Sequence, residues 1–326
     1  MLRLAPTLRY PNLAKYSNFA ACFHRQYQYV DIPDRQNVYH ECDCYAKDLN
    51  HDLPRYSWLD INLKLPQKTP AYHKHLLLIS PPDLVGQEPE WKGSWQRKLE
   101  LNPKWPYSVI GELKSSLKNT RHGDGVLVNA MSIIHGELAN QARRENTANI
   151  LAIPDMKIYE IREKDIKEFA NFIGGGARSN TLNFADYLKG AMEIRKKLET
   201  EDTEVYAAVN SFSSREFGKN LVLVCGHHQR DQRCGILAPR IIKKLQTIVE
   251  PETELGIVSH IGGHKYAGNL IFYNYLGRDN AQNAKVDGLW FGKILPTNVP
   301  TLVKNLNDGN IISEWFRGGI SSRSKD

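Results

Sequence analysis

LVLVCGHHQRDQRCGILAPRIIKKL (221–245) and ELGIVSHIGGHKYAGNLIFYNY (254–275) each begin with an apolar run that reads as a buried strand, 221–224 and 255–258. Each run delivers ligand-type residues where the strand stops. The first gives Cys225 and Cys234 with eight residues between them, the second His260 and His264 with three between them. Functional side chains concentrate where rigid strands hand over to loops. A lone cysteine reads as a small buried hydrophobe, and a lone histidine as a satisfied turn residue. Four such residues in two pairs, at two strand ends, point instead to a bound metal centre. Gly262 and Gly263 lie between the histidines and let the backbone curl tightly around a bulky group, with Gly226, Gly235 and Gly268 bordering the same loops.

Three chemistries suit these donors. Tetrahedral zinc accepts two thiolates and two imidazoles, although zinc fingers space their cysteines by two to four residues. A [2Fe–2S] cluster is wider and suits one broad loop and one short one. A metal-free dithiol is the third, although the spacing is not that of a C-x-x-C redox motif.

Working outward, the chain reads as two halves built alike. The first has strand patterns at 75–80, 125–131, 149–153 and 157–161, with helices at 105–117 and 163–173, and Gly174, Gly175 and Gly176 end the last helix and open a linker. A helix at 183–198 leads onward. The second half has strands at 205–209, 221–224, 255–258, 269–275 and 288–294, with helices at 235–248 and 298–306. The shared β-α-β…β-β-α order predicts an α/β protein made of tandem thioredoxin-like domains. The expected segments are a leader 1–35, a degenerate domain 39–173, a linker and helix 174–200, a site-bearing domain 201–310 and a tail 311–326. The first half carries no equivalent cluster: Ser80 or Pro81 stands where the second has Cys225, and Ala130 and Ile134 where it has His260 and His264.

The bulk numbers narrow the class. The 326 residues suffice for two domains, and 41% hydrophobic with 24% charged residues is a globular composition. No apolar run approaches the roughly 20 residues of a membrane span, which predicts no membrane insertion. The net charge of +7 comes with no nucleic-acid motif, so no nucleic-acid partner is expected. Five cysteines (Cys22, Cys42, Cys44, Cys225 and Cys234) form no disulfide scaffold and suit a reducing compartment. Cys42 and Cys44 read as ordinary reduced thiols at a domain edge, with thiols available for exchange with partners or a weak metal half-site including His40 as the alternatives. Arg3, Arg9, Lys15 and Arg25 precede the first acidic residue, Asp31, with Leu2, Leu4, Leu8, Leu13 and Phe19 between them. That basic, acid-free leader reads as a mitochondrial presequence, although Pro6 and Pro11 interrupt any long amphipathic helix.

C-x₈-C, then SHIGGHKYAGN (259–269), then DGLWFGKILPTNVP (287–300) together resemble the sucrase/ferredoxin-like family. The resemblance is strongest over 205–306, looser over 39–173, and favours the family's mitochondrial branch. It implies a thioredoxin-like ferredoxin domain that holds a [2Fe–2S] cluster through Cys225, Cys234, His260 and His264. Imidazole carries less negative charge than thiolate, so such ligation raises the reduction potential. The expected function is electron transfer in mitochondrial redox homeostasis, by a carrier rather than an enzyme. Its partners would be an external reductase and an unknown acceptor, since no G-x-G-x-x-G nucleotide fingerprint follows a strand. A zinc-stabilised interaction module and a thiol–disulfide oxidoreductase are the alternatives. His227 and His228 read as decoys in a polar loop with Arg230, Asp231 and Arg233, solvated or serving as a docking patch for an acidic partner.

Overall fold

The structure, a computed structural model, describes residues 27–80, 89–140, 146–176, 181–189, 212–278 and 284–323. The first 26 residues, the expected strand 205–209 and most of the expected helix 183–198 lie outside the described residues.

A short strand, β1 (Gln28–Val30), is followed by helix α1 (Arg35–His51). Next come β2 (Lys74–Ile79), α2 (Glu90–Gly93), α3 (Ser108–Leu117), β3 (Val126–His135), β4 (Thr147–Ile153), β5 (Lys157–Arg162) and α4 (Ile166–Gly175). Short elements β6 (Leu182–Asn183), α5 (Phe184–Lys189) and β7 (Ser214–Glu216) lie between the halves. The second half is β8 (Leu221–Cys225), α6 (Gln232–Leu245), β9 (Glu254–Val258), β10 (Leu270–Arg278), β11 (Ala284–Phe291) and α7 (Val299–Asn307), closed by β12 (Asn310–Ile312) and β13 (Phe316–Ser321).

The result is a mixed α/β protein with one large sheet. Among the described residues, eleven strands run in the order β6-β13-β11-β10-β8-β9-β3-β2-β4-β5-β7, and β1 pairs separately with β12. The two halves repeat one pattern. β2 runs parallel to β3 and antiparallel to β4, which is antiparallel to β5. Likewise β8 runs parallel to β9 and antiparallel to β10, which is antiparallel to β11. β3 and β9 join the repeats antiparallel, with Met131 opposite Val258 and Ser132 opposite Ile257.

The local reasons are plain. The LLL of β2 and all of β8 are buried, the near-continuous apolar run of strands covered on both faces. In α4, Ile166, Phe169, Ala170 and Ile173 recur at helical spacing and are buried as one stripe. α6 does the same with Leu237, Ala238, Ile241, Ile242 and Leu245, and the Asp231 carboxylate caps its start by accepting from the Arg233 N–H.

Two expectations need correction. Residues 35–51, where no element was expected, form a helix, whose buried stripe of Cys42, Ala46 and Leu49 is too narrow to stand out in the sequence. The correspondence between halves also shifts. Ile79 pairs with Met131 as Cys225 pairs with Val258, and Ser80 donates to the Met131 carbonyl as Gly226 donates to that of Val258. Ile79, rather than Ser80 or Pro81, therefore matches Cys225. Counting from those pairs, Ile133 matches His260, where β3 continues as strand against β9 instead of breaking into a loop.

Candidate metal centre

The site forms at the carboxyl ends of β8 and β9, beside the seam between the repeats. Cys225 is the last residue of β8, and Cys234 sits in the first turn of α6. Both thiols are buried, at 1% and 0% exposure, and unoxidised. The Cys234 thiol interacts with Cys225 and is the largest influence lowering the Cys225 pKa well below the usual thiol value. The His260 ring and the backbone N–H of Ile261 lower it further, against the opposing effect of burial. Cys234, the proton-holding partner, is raised by that same contact and by burial. Three of the four expected residues thus meet around one sulfur. His264 follows in a 3-10 turn, its ring centroid 5.6 Å from that of His260. Both histidines are half-buried, so the imidazole side of the site faces outward while the thiol side lies in the core.

Gly262 and Gly263 adopt left-handed φ of 84° and 75°, the conformation this turn needs and glycine adopts freely. Gly268 closes the loop at φ 87°, where a Cβ would lie 1.9 Å from the Ile294 carbonyl oxygen. The Cys225 N–H donates to the Asn269 carbonyl at 2.9 Å, locking the strand end to the loop.

His260 is held at both backbone groups, its carbonyl by the first repeat and its N–H by the loop after β8. Its carbonyl accepts from the Asn129 side-chain amide at 3.1 Å, which also donates to Ser259 Oγ at 3.0 Å. Its N–H donates to His227 Nδ1 at 3.3 Å. His227 Nε2 lies 2.8 Å from the Gln96 carbonyl and 3.2 Å from that of Trp95, so Nε2 carries the proton and Nδ1 is the acceptor. Asn129 is itself oriented by His75, whose Nε2 lies 3.0 Å from its Oδ1. His75 Nδ1 accepts from the Tyr273 hydroxyl at 2.7 Å.

The 226–233 loop therefore differs from the solvated patch anticipated. His227 is buried and holds the His260 loop, and Arg233 is buried in a two-point ion pair with Asp231 at 2.8 and 2.9 Å. Arg230 is exposed. Trp290 is core in β11, donating to the Tyr72 hydroxyl at 2.8 Å. Cys42 is buried 3.7 Å from Thr297 Oγ1, and exposed Cys44 lies 3.8 Å from His40 Nε2; both stand on α1, apart from the strand-end group. Asn129, His227 and Arg317 were missed as site residues. The one available signal was a cation in the otherwise apolar and glycine-rich WFRGGI of 315–320.

Two thiols and two imidazoles are donors that both zinc and iron–sulfur centres accept. His260 Nδ1 is buried with no hydrogen-bond partner, a polar atom left open for a bound group. Among the described residues, no group of three or more His, Cys, Asp or Glu side chains is arranged as a single metal-ion site. The donors stand as pairs, Cys225 with Cys234 and His260 with His264.

This strand-end site on a two-repeat sheet coincides with a family match. The chain belongs to the sucrase/ferredoxin-like family, whose model matches residues 65–318. Among its relatives is the altered inheritance of mitochondria protein 32 of Kluyveromyces lactis, 41% identical over 307 residues, 92% of this chain and 92% of that protein. The protein of the same name from Eremothecium gossypii is 41% identical over 319 residues, 95% of this chain and 99% of its own length. That of Saccharomyces cerevisiae is 40% identical over 309 residues, covering 92% and 96%. No solved structure matches.

Proposed function

We propose that the chain is a mitochondrial electron-transfer protein in which Cys225, Cys234, His260 and His264 hold a [2Fe–2S] cluster. In this reading the two repeats are tandem thioredoxin-like domains. The convergence of Cys234, His260 and the Ile261 N–H on the buried Cys225 sulfur carries it. A thiol pushed toward thiolate inside a core needs a compensating positive group, and a metal centre supplies one.

When bound, the cluster would supply one-electron storage at a potential raised by imidazole ligation. The chain's own residues do the rest. The buried cysteines form a dry floor, and the half-buried histidines form the face a redox partner can approach. Asn129 fixes the His260 carbonyl, and the Trp95 and Gln96 carbonyls hold the His227 ring that takes the His260 N–H, so the first repeat works as a scaffold for the second repeat's loop. The relatives' names, which refer to mitochondrial inheritance, and the basic leader together support the mitochondrial placement.

Anaerobic titration with dithionite tests the function. The protein is expected to take up about one electron per chain and release it reversibly to ferricyanide. A zinc-loaded protein that accepts no electron would favour the interaction-module reading instead.

A further inference from the structure

The most unusual charge near the site is Arg317 of β13. It is buried at 5% exposure, and among the described residues no carboxylate forms an ion pair with it. Its Nη1 donates to Asn269 Oδ1 at 2.7 Å and to the Gly262 carbonyl at 3.2 Å. Its guanidinium carbon stands 5.9 Å from the Trp290 ring centroid. A Cβ on Gly263 would lie 2.9 Å from Nη2, so the second loop glycine makes room for the guanidinium as well as for the turn. Arg317 Nε is buried with no hydrogen-bond partner. A buried cation that has only neutral partners is costly and calls for a nearby negative charge. The titratable groups that interact favourably with it are Cys225 and Tyr266. Asn269 connects the two sides: its side chain takes the guanidinium, and its carbonyl takes the Cys225 N–H.

We infer that Arg317 is a positioning residue and the built-in counter-charge of the centre, holding the His260–His264 loop and favouring the electron-rich state. The inference rests on the cluster reading above. Two ferric ions, two sulfides and two thiolates sum to zero charge, and the imidazoles add none. One electron from an external one-electron donor, which is itself oxidised, leaves a net negative charge among these residues. The buried guanidinium stabilises that charged state and not the neutral one, so it raises the midpoint potential.

The test is a dithionite-poised redox titration of the full chain, followed by visible absorption, with iron measured on each sample. Arg317→Gln keeps a hydrogen-bonding side chain and removes the charge. It is expected to disfavour one-electron reduction about tenfold or more, a fall of about 59 mV or more. Arg317→Lys, which keeps the charge, should stay within a few-fold of the parent. Should the glutamine variant not fold, Asn269→Asp neutralises the guanidinium in place by setting a carboxylate against it, and the potential should fall in the same direction. Iron-loaded glutamine or aspartate variants with the parent's potential would overturn the counter-charge role and leave the cluster reading standing. A parent protein without iron would remove both.

Discussion

Cys225→Ser is expected to give a folded chain that retains no iron and no colour. Serine fills nearly the same space at the end of β8 and keeps the backbone bond to the Asn269 carbonyl at 2.9 Å. Burying its hydroxyl at a position of 1% exposure costs on the order of 1–3 kcal/mol, which this fold should survive. The chemistry does not survive: a serine hydroxyl stays protonated where the Cys225 sulfur is driven toward thiolate by Cys234, His260 and the Ile261 N–H. Cys42→Ser is the matched control, because Cys42 lies on α1 against Thr297. Iron per chain, read beside circular dichroism, checks the pair. Full iron content in Cys225→Ser would remove Cys225 from the ligand set.

The second large effect is on stability in acid. His75 is fully buried between Tyr273 and Asn129, and burial pushes its pKa down from 6.5 to about 4. In the unfolded chain the ring takes a proton below about pH 6.5, while in the folded chain it stays neutral until about pH 4. Its contribution is therefore complete above pH 6.5 and lost progressively as pH falls to about 4, a loss of about 3 kcal/mol. His75→Gln should be the less stable protein at pH 7, since it disturbs the bonds to Tyr273 and Asn129. The gap to the parent should close on acidification, because glutamine has no proton to gain. Urea unfolding at pH 7 and pH 4.5 measures it, and a gap that stays constant would contradict the account.

What the sequence shows directly is local. The apolar runs at 221–224 and 255–258 give strands within a residue of β8 and β9, because a strand buried on both faces announces itself by composition. The paired cysteines and paired histidines stand out for the same reason, since both types are scarce and sit at strand ends. The left-handed turns at Gly262 and Gly263 follow from residue type alone. Long-range placement has no such signature. Nothing local in β3 says that it continues past Met131 to pair with β9, which makes one sheet of two repeats. His227 looked like a decoy because its role depends on carbonyls at Trp95 and Gln96, more than a hundred residues away in sequence. Asn129 is a mid-strand residue of the first repeat whose partner, the His260 carbonyl, lies in the second. Arg317 reaches the site only because β13 adds to β11 after the second repeat has closed. Helix α1 escaped notice because three buried residues in seventeen make too thin a stripe to read.

Visible absorption and electron paramagnetic resonance on anaerobically purified protein, with iron and zinc quantified in the same sample, decide whether Cys225, Cys234, His260 and His264 hold a [2Fe–2S] cluster. The expected protein is red-brown, and its reduced signal has the low average g of a histidine-ligated [2Fe–2S] centre, moving toward an ordinary ferredoxin signal in His260→Cys and His264→Cys. A colourless protein that holds zinc and no iron would contradict it.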